Sequence, residues 1–365
     1  MIRVLQLTDT IEKRNGRMSV VMNIYRKIDR NKVQFDFLVT DYGYENYYDE
    51  ITRLGGNVYF LPCEKLSLKE IKKTFFKVIN LRKYDYVHYH ALSKWGECIS
   101  YAKRLNINVI VHSHATKMSD TFIKSIRNRL FSLNTLSCAD KRVAVSPEAG
   151  RELFLWEKFT YIPNMIDYDK FKYSNITRNK IRKKYNFSND DKVIGIVGRI
   201  SKQKNQKFAL AVLRQLIKEN KNYKLLVIGD YDDKGKKYFQ MLKSLIRKYG
   251  LERNVIFTGI VLNVWEYYSS LDLLWIPSLY EGMPTVAIEA EANGVPIILS
   301  SQITKSLKIN GNVSYLKVNN CSLGSWVSLS KRQINSREFN SISNIKETIF
   351  NSKRVLTQWM RLYGL

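Results

Sequence analysis

The sequence contains no apolar run approaching the length of a bilayer, so no membrane-spanning helix is expected. Its four cysteines, Cys63, Cys98, Cys138 and Cys321, lie far apart with no paired metal-ligand spacing. A zinc module or disulfide framework is therefore not expected, and a reducing cytoplasm is the natural setting. Low-complexity tracts are absent. The N-terminal run Met1-Ile2-Arg3-Val4-Leu5-Gln6-Leu7 is too short and too β-like for a signal peptide, and reads as a first buried strand. Acidic residues are the scarce charge. Sixty Lys and Arg face 33 Asp and Glu, for a net charge of +27. Such a surface suits the anionic face of a membrane or nucleic acid, or merely follows from a Lys- and Asn-rich composition. No nucleic-acid-binding module is recognisable, so that partner is not expected.

What is present is length and alternation. At 365 residues the chain exceeds one ordinary core and fits two domains. Short apolar strands are expected at Ile2–Thr8, Val33–Thr40, Val58–Pro62, Tyr84–His90, Val109–His114 and Arg142–Ser146. Segments of helical spacing, such as Arg17–Asp29, Leu66–Asn80 and Thr121–Leu136, separate them. This alternation means βαβ units and a parallel sheet. The rhythm breaks between Pro163 and Asp190 and then restarts. Strands follow at Val193–Val197, Lys224–Ile228, Val255–Thr258, Leu271–Pro277 and Ile297–Ser300. Helices are expected at about Gln206–Glu219, Lys236–Tyr249, Val264–Ser270 and Pro284–Asn293. The boundaries are a first domain over 1–165, a linker and lead-in helix over 166–190, a second domain over 191–345 and a terminal helix over 346–365. Both domains are of the doubly wound α/β class, and ligands of such sheets bind beyond the carboxyl ends of the strands.

Two segments in the second domain carry the chemistry. The run Ser278-Leu279-Tyr280-Glu281-Gly282-Met283-Pro284-Thr285-Val286-Ala287-Ile288-Glu289-Ala290 ends a strand and opens a helix near Pro284. Proline is favoured at a first helical position, and free N–H groups at a helix start bind an anion or a sugar hydroxyl. Glu281 and Glu289 sit about two helical turns apart, a spacing that matches the two ends of an extended nucleotide sugar. The run Gly198-Arg199-Ile200-Ser201-Lys202-Gln203-Lys204-Asn205 follows a strand and opens a helix. Gly198 permits close backbone approach. Arg199 and Lys204 supply the two positive charges a pyrophosphate needs.

The first segment resembles the E-x7-E signature of family 4 glycosyltransferases, down to the E-G-M-P-T wording. The second resembles that family's G-R…K-N loop. The resemblance implies the GT-B architecture, two Rossmann-like domains facing a cleft. It implies a retaining glycosyltransferase that moves a sugar from a nucleotide diphosphate, with UDP favoured, to a hydroxyl of a glycan or lipid-linked saccharide. It places Glu281 by the donor sugar, Glu289 on the ribose hydroxyls, and Arg199 and Lys204 on the diphosphate. Gly282, Met283, Pro284 and Thr285 belong to the same donor site. No metal or other cofactor is expected, because the family neutralises the diphosphate with basic residues. Asp230-Tyr231-Asp232 reads as a turn after a strand. The terminal helix is expected to cross back to the first domain, and the nearest relatives in style build capsule or exopolysaccharide.

In the first domain, Asn15-Gly16-Arg17 stands where the family has Gly-Gly. Gly16 is taken as a site residue, and Asn15 is expected to tolerate left-handed backbone. All four histidines fall on two strand ends, His88 and His90 in one and His112 and His114 in the other. The resemblance places His114 near the donor sugar. The roles of His88, His90 and His112 stay open among structure, adventitious metal binding and function. Basic amphipathic stretches at Leu66–Lys83 and Asp120–Leu136 read either as membrane-surface helices or as ordinary helices with a solvated face. A protein at the inner face of the cell membrane would meet a lipid-borne acceptor there. Two other readings remain, a non-catalytic GT-B scaffold and, behind it, a basic nucleic-acid-binding protein.

Overall fold

The computed structural model describes the chain except residues 44, 62–66, 91–95, 117–134, 308 and 340. It divides into two compact units, Met1–Met165 with Ile349–Leu365, and Ile166–Thr348. The segment expected as a linker folds with the second unit, and its helix is held there by charge. Arg178 and Arg182 both pair with Asp272, at 2.6 and 3.3 Å.

Along the chain the strands are β1 (Ile2–Leu7), β2 (Val33–Val39), β3 (Val58–Phe60), β4 (Tyr86–Tyr89), β5 (Asn108–Ser113), β6 (Lys141–Ala144) and β7 (Thr160–Tyr161) in the first unit. The second unit has β8 (Lys192–Val197), β9 (Tyr223–Ile228), β10 (Val255–Phe257), β11 (Leu273–Ile276), β12 (Ile297–Ser300) and β13 (Val313–Leu316). The helices are α1 (Gly16–Lys27), α2 (Tyr48–Arg53), α3 (Leu68–Leu81), α4 (Gly96–Arg104), α5 (Pro147–Phe154), α6 (Asn175–Lys184), α7 (Gln206–Glu219), α8 (Lys236–Tyr249), α9 (Val264–Ser270), α10 (Thr285–Asn293), α11 (Leu323–Gln333), α12 (Ser341–Lys346) and α13 (Ser352–Leu362).

Every strand pairing within the two sheets is parallel. The first sheet runs β3-β2-β1-β4-β5-β6-β7 and the second β10-β9-β8-β11-β12-β13. Each order reverses once, between β1 and β4 and between β8 and β11. Loops on either side of such a reversal leave in opposite directions and open a crevice at the strands' carboxyl ends.

In the first unit, alternate residues of each strand feed two cores. Val4, Phe35 and Tyr86 face α1 and α13, while Leu5, Val87 and Val109 face α3 and α4. Trp359 and Tyr363 bring the terminal helix onto the first face, each about 1% exposed. The α3 helix is started by a capping box between Ser67 and Glu70. Its Ile71, Phe75 and Ile79 are buried in the unit's own core. The apolar face that a membrane-surface reading of Leu66–Lys83 needed is therefore already covered. The other such stretch, Asp120–Leu136, lies almost wholly outside the described residues, as does most of the expected helix Thr121–Leu136. No helix among the described residues is long and apolar enough to cross a membrane.

Candidate functional site

In the second unit the crevice at the sheet reversal is walled by two loops. One leaves β8 and carries Gly198 to Asn205; the other leaves β11 and carries Pro277 to Pro284. Side-chain amides staple them together. Asn205 donates to the Pro277 carbonyl at 3.2 Å, and Gln203 donates to the Tyr280 carbonyl at 3.0 Å. The Leu279 amide returns a bond to the Gln203 carbonyl at 2.9 Å. Asn205 adopts the left-handed conformation, φ 55°, which lets the chain turn directly into α7.

This stapling brings Lys204 Nζ within 2.7 Å of Glu281 Oε1, with the side chains only 17% and 11% exposed. Gly198 makes room for the lysine. Its φ is +131°, and a Cβ there would stand 3.0 Å from Lys204 Cε. Gly229 ends β9 against the same backbone, where a Cβ would meet the Gly198 carbonyl oxygen at 2.3 Å. Sequence reading passed over Gly229, although a glycine closing a strand beside the first loop is the signal that marks it.

Arg199 reaches outward and pairs with Asp232 at 2.8 Å, both well exposed. An exposed pair of this kind is worth about 1 kcal/mol or less, so a ligand can take over the guanidinium cheaply. Asp232 also caps a short 3-10 turn, accepting from the Gly235 amide at 2.9 Å. The Asp230-Tyr231-Asp232 run thus serves a turn.

The α10 helix begins at Thr285, one residue later than expected, with Pro284 in the capping position. Pro284 offers no side-chain cap, and the first turn has no acidic residue, so neither of them neutralises the positive end of the helix. Because Glu281 precedes the helix, its relation to Glu289 is set by the turn and not by two helical turns. Gly282, Met283 and Pro284 are buried in that turn, and Thr285 is half-buried.

Glu289 accepts a 2.6 Å hydrogen bond from the Tyr268 hydroxyl. Burial pushes its carboxyl up to about 7, against smaller lowering contributions from Tyr268, Thr285 and Lys204. Tyr268 is a second residue that sequence reading missed. Nothing in its local pattern points across to α10.

In the first unit the reversal lies between β1 and β4. Asn15 caps α1 in extended geometry (φ −81°, ψ 114°), its side chain accepting from the Arg17 and Met18 amides at 3.0 and 3.3 Å. The left-handed geometry that Asn15 could tolerate is not used; the residue caps the helix instead. Gly16 opens the helix with clear space where a Cβ would project. Arg17 donates to the His90 carbonyl at 3.3 Å and pairs with Asp9 at 2.9 Å, which puts a cation beside the histidines.

The histidines lie on one face of the sheet, beneath α13. His88 Nδ1 meets the Tyr363 hydroxyl at 3.0 Å, and His88 Nε2 meets His112 Nδ1 at 3.3 Å. His90 Nε2 meets Gln6 Oε1 at 2.8 Å, and His90 Nδ1 meets His114 Nε2 at 2.9 Å. His114 is the half-exposed member, just past the end of β5. Burial holds all four imidazoles well below the usual histidine range, His88 at about 3.

His88, His90 and His112 offer nitrogens within 4.8 Å of one another, close enough for a metal. Both nitrogens of His88 and His90, and Nδ1 of His112, are already committed to hydrogen bonds. Only His112 Nε2 is left, so these residues do not form a ready three-nitrogen site. His112 Nε2 and Trp359 Nε1 are buried without a hydrogen-bond partner among the described residues. Both residues line a cavity of about 10 Å³, room for roughly one water.

Two family models match the sequence: "Glycosyltransferase Family 4" over residues 15–170 and "Glycosyl transferases group 1" over residues 177–318. A Bacillus subtilis (strain 168) protein that carries the glycosyltransferase name EpsF is 30% identical over 308 residues, spanning 80% of this chain and 78% of that one. The capsular polysaccharide biosynthesis glycosyltransferase CapH of Staphylococcus aureus is 27% identical over 355 residues, 94% of each chain. Among solved structures, Anabaena HepE in complex with UDP-glucose superposes with a TM-score of 0.83 at 16% identity, covering 100% of both chains.

Proposed function

The chain belongs to the family 4 glycosyltransferases of GT-B fold, and from that premise we propose that it transfers a sugar, with retention, from a UDP-sugar to a hydroxyl of a glycan or lipid-linked saccharide in capsule or exopolysaccharide synthesis. The bond between the anomeric carbon and the diphosphate oxygen breaks. A bond from that carbon to the acceptor oxygen forms, and the hydroxyl proton leaves with the diphosphate or to solvent. Charge grows on the departing diphosphate, and the second unit holds cations fixed in advance for it. Lys204 is inside the crevice, Arg199 is at its rim, and the uncapped start of α10 adds a third positive end. Preorganised donors of this kind stabilise developing charge at little reorganisation cost. Glu289 takes the ribose hydroxyls, Glu281 lies by the sugar, and His114, in the first unit, serves a substrate hydroxyl.

One observation carries the reading: the two loops at the sheet reversal converge so that Lys204 and Glu281 stand 2.7 Å apart with their side chains only 17% and 11% exposed. The donor preference for UDP is supported by the HepE complex. The pathway is supported by CapH, which matches across 94% of both chains. A place at the membrane face is supported by the charge of +27.

The test is release of UDP from a panel of UDP-sugars incubated with membranes of a capsule-forming bacterium that carry lipid-linked saccharides. Release with one donor, absent in Glu281→Ala, is the expected result. Release that is unchanged by Glu281→Ala, or no release with any donor, contradicts the proposal.

A further inference from the structure

The four histidines of this chain are wired to a single residue, Gln6 of β1. Gln6 is 1% exposed. Its carbonyl oxygen, Oε1, stands 2.8 Å from His90 Nε2. A carbonyl oxygen has no proton to give. His90 must therefore donate from Nε2, and a neutral imidazole that donates from Nε2 accepts at Nδ1. His114 Nε2 lies 2.9 Å from that Nδ1. It must donate, and this leaves His114 Nδ1 as a bare lone pair. Among the described residues, no hydrogen-bond partner meets that nitrogen.

The other arm follows the same rule. Gln6 also hydrogen-bonds the Tyr363 hydroxyl, which donates in turn to His88 Nδ1 at 3.0 Å. His88 then donates from Nε2 to His112 Nδ1 at 3.3 Å. One buried amide thus puts the proton of all four rings on Nε2. The rings stay uncharged because burial disfavours the imidazolium, and Arg17 beside His90 and His114 disfavours it further.

We propose that Gln6 and His90 are positioning residues that fix His114 in its Nε2–H tautomer, so that its Nδ1 accepts a hydrogen bond from a substrate hydroxyl. A ring set this way suits a sugar or acceptor hydroxyl, which has a proton to give. It does not suit a phosphate oxygen, which has none. The use made of the lone pair rests on the reading of His114 as a site residue; the relay itself does not.

The test uses the intact protein labelled with 15N-histidine, whose four rings give a countable spectrum, and long-range 1H–15N correlation to assign the protonated nitrogen of each. All four rings neutral and protonated on Nε2 is the expected result. A proton on His114 Nδ1, or a charged His114, overturns the proposal and needs no variant. Gln6→Met removes the acceptor at nearly constant volume. It should turn His90 and His114 into tautomer mixtures and lower kcat by about tenfold or more, with KM for the nucleotide sugar little changed. Tyr363→Phe releases only the His88–His112 arm and should leave the His114 tautomer as it was. An unchanged His114 tautomer in Gln6→Met sinks the relay. A scrambled tautomer with full kcat upholds the relay and removes His114 from the reaction.

Discussion

Lys204 and Glu281 come from two different loops, yet Lys204 Nζ lies 2.7 Å from Glu281 Oε1 with both side chains nearly buried. Each thus neutralises the other before any ligand arrives. A nearly buried lysine left alone would lose part of its charge to desolvation, and a nearly buried carboxylate left alone would be costly. The pair fixes the ammonium between the two loops at 17% exposure, where a diphosphate competing for it would be less screened than at the open surface.

That readiness depends on Gly198. At φ +131° any side chain is strained, and a Cβ would press on Lys204 Cε at 3.0 Å. Gly198→Ala should cost about 1–3 kcal/mol of stability from strain. It should also weaken nucleotide binding by displacing the lysine. Denaturant unfolding and calorimetry on the same variant check the two effects together, and a normal nucleotide affinity would disconnect Gly198 from the site.

Arg199 gives the opposite combination. Its pair with Asp232 is exposed, so Arg199→Ala should change stability by no more than about 0.5 kcal/mol. Its affinity for a nucleoside diphosphate should still fall roughly tenfold or more, the worth of a hydrogen bond to a charged group. Isothermal titration beside a melting curve separates these. A large loss of stability would mean that Arg199 is structural.

Glu289 makes stability depend on pH in a stated direction. Burial raises its carboxyl from 4.5 to about 7. Between those values the folded chain keeps a proton that the unfolded chain has released, so stability falls as pH rises through that window. The loss is on the order of 3 kcal/mol at its fullest. Glu289→Gln removes it, so the variant should melt above wild type beyond pH 7, with the gap fading below about pH 4.5. Glu291, raised by burial to about 8, is present in both proteins and drops out of the difference. A gap that is constant across pH would contradict the assignment. The same deprotonation readies Glu289 to accept from ribose hydroxyls, so UDP affinity should strengthen as pH rises from 6 to 8 in wild type and not in the variant.

Much of this site was legible from the sequence because its chemistry is local. Gly198 to Asn205 and Glu281 to Glu289 each follow a strand and open a helix within one short stretch, and turn chemistry reports that directly. Both sheets were legible as alternating apolar strands. Residues whose partners come from another element were not. Tyr268 meets Glu289 only because α9 packs beside α10. Gln6 looks like one polar position in a buried strand until the register sets it beside His88. The short strands Thr160–Tyr161 and Val313–Leu316 were missed because each is bounded by its neighbours' pairing and not by its own composition. Asn15 can tolerate left-handed backbone, but here it stays extended because its short side chain satisfies the free amides of α1.

Trp359 ties the chain's end to the first unit. It is 1% exposed, and its ring lies 5.3 Å from those of His88 and His112. Trp359→Ala should cost about 3–5 kcal/mol and lower the melting of the first unit, while nucleotide binding by the second unit remains. Proteolysis with and without UDP would show which unit opens first. Loss of UDP binding in this variant would contradict that division.

The most direct test of the central claim is calorimetric titration of the purified protein with UDP, GDP and CDP, repeated on Lys204→Ala. Binding with UDP preferred, and a loss of about tenfold or more in the variant, is the expected result. Equal affinity in wild type and Lys204→Ala, or no binding of any nucleotide, would contradict it.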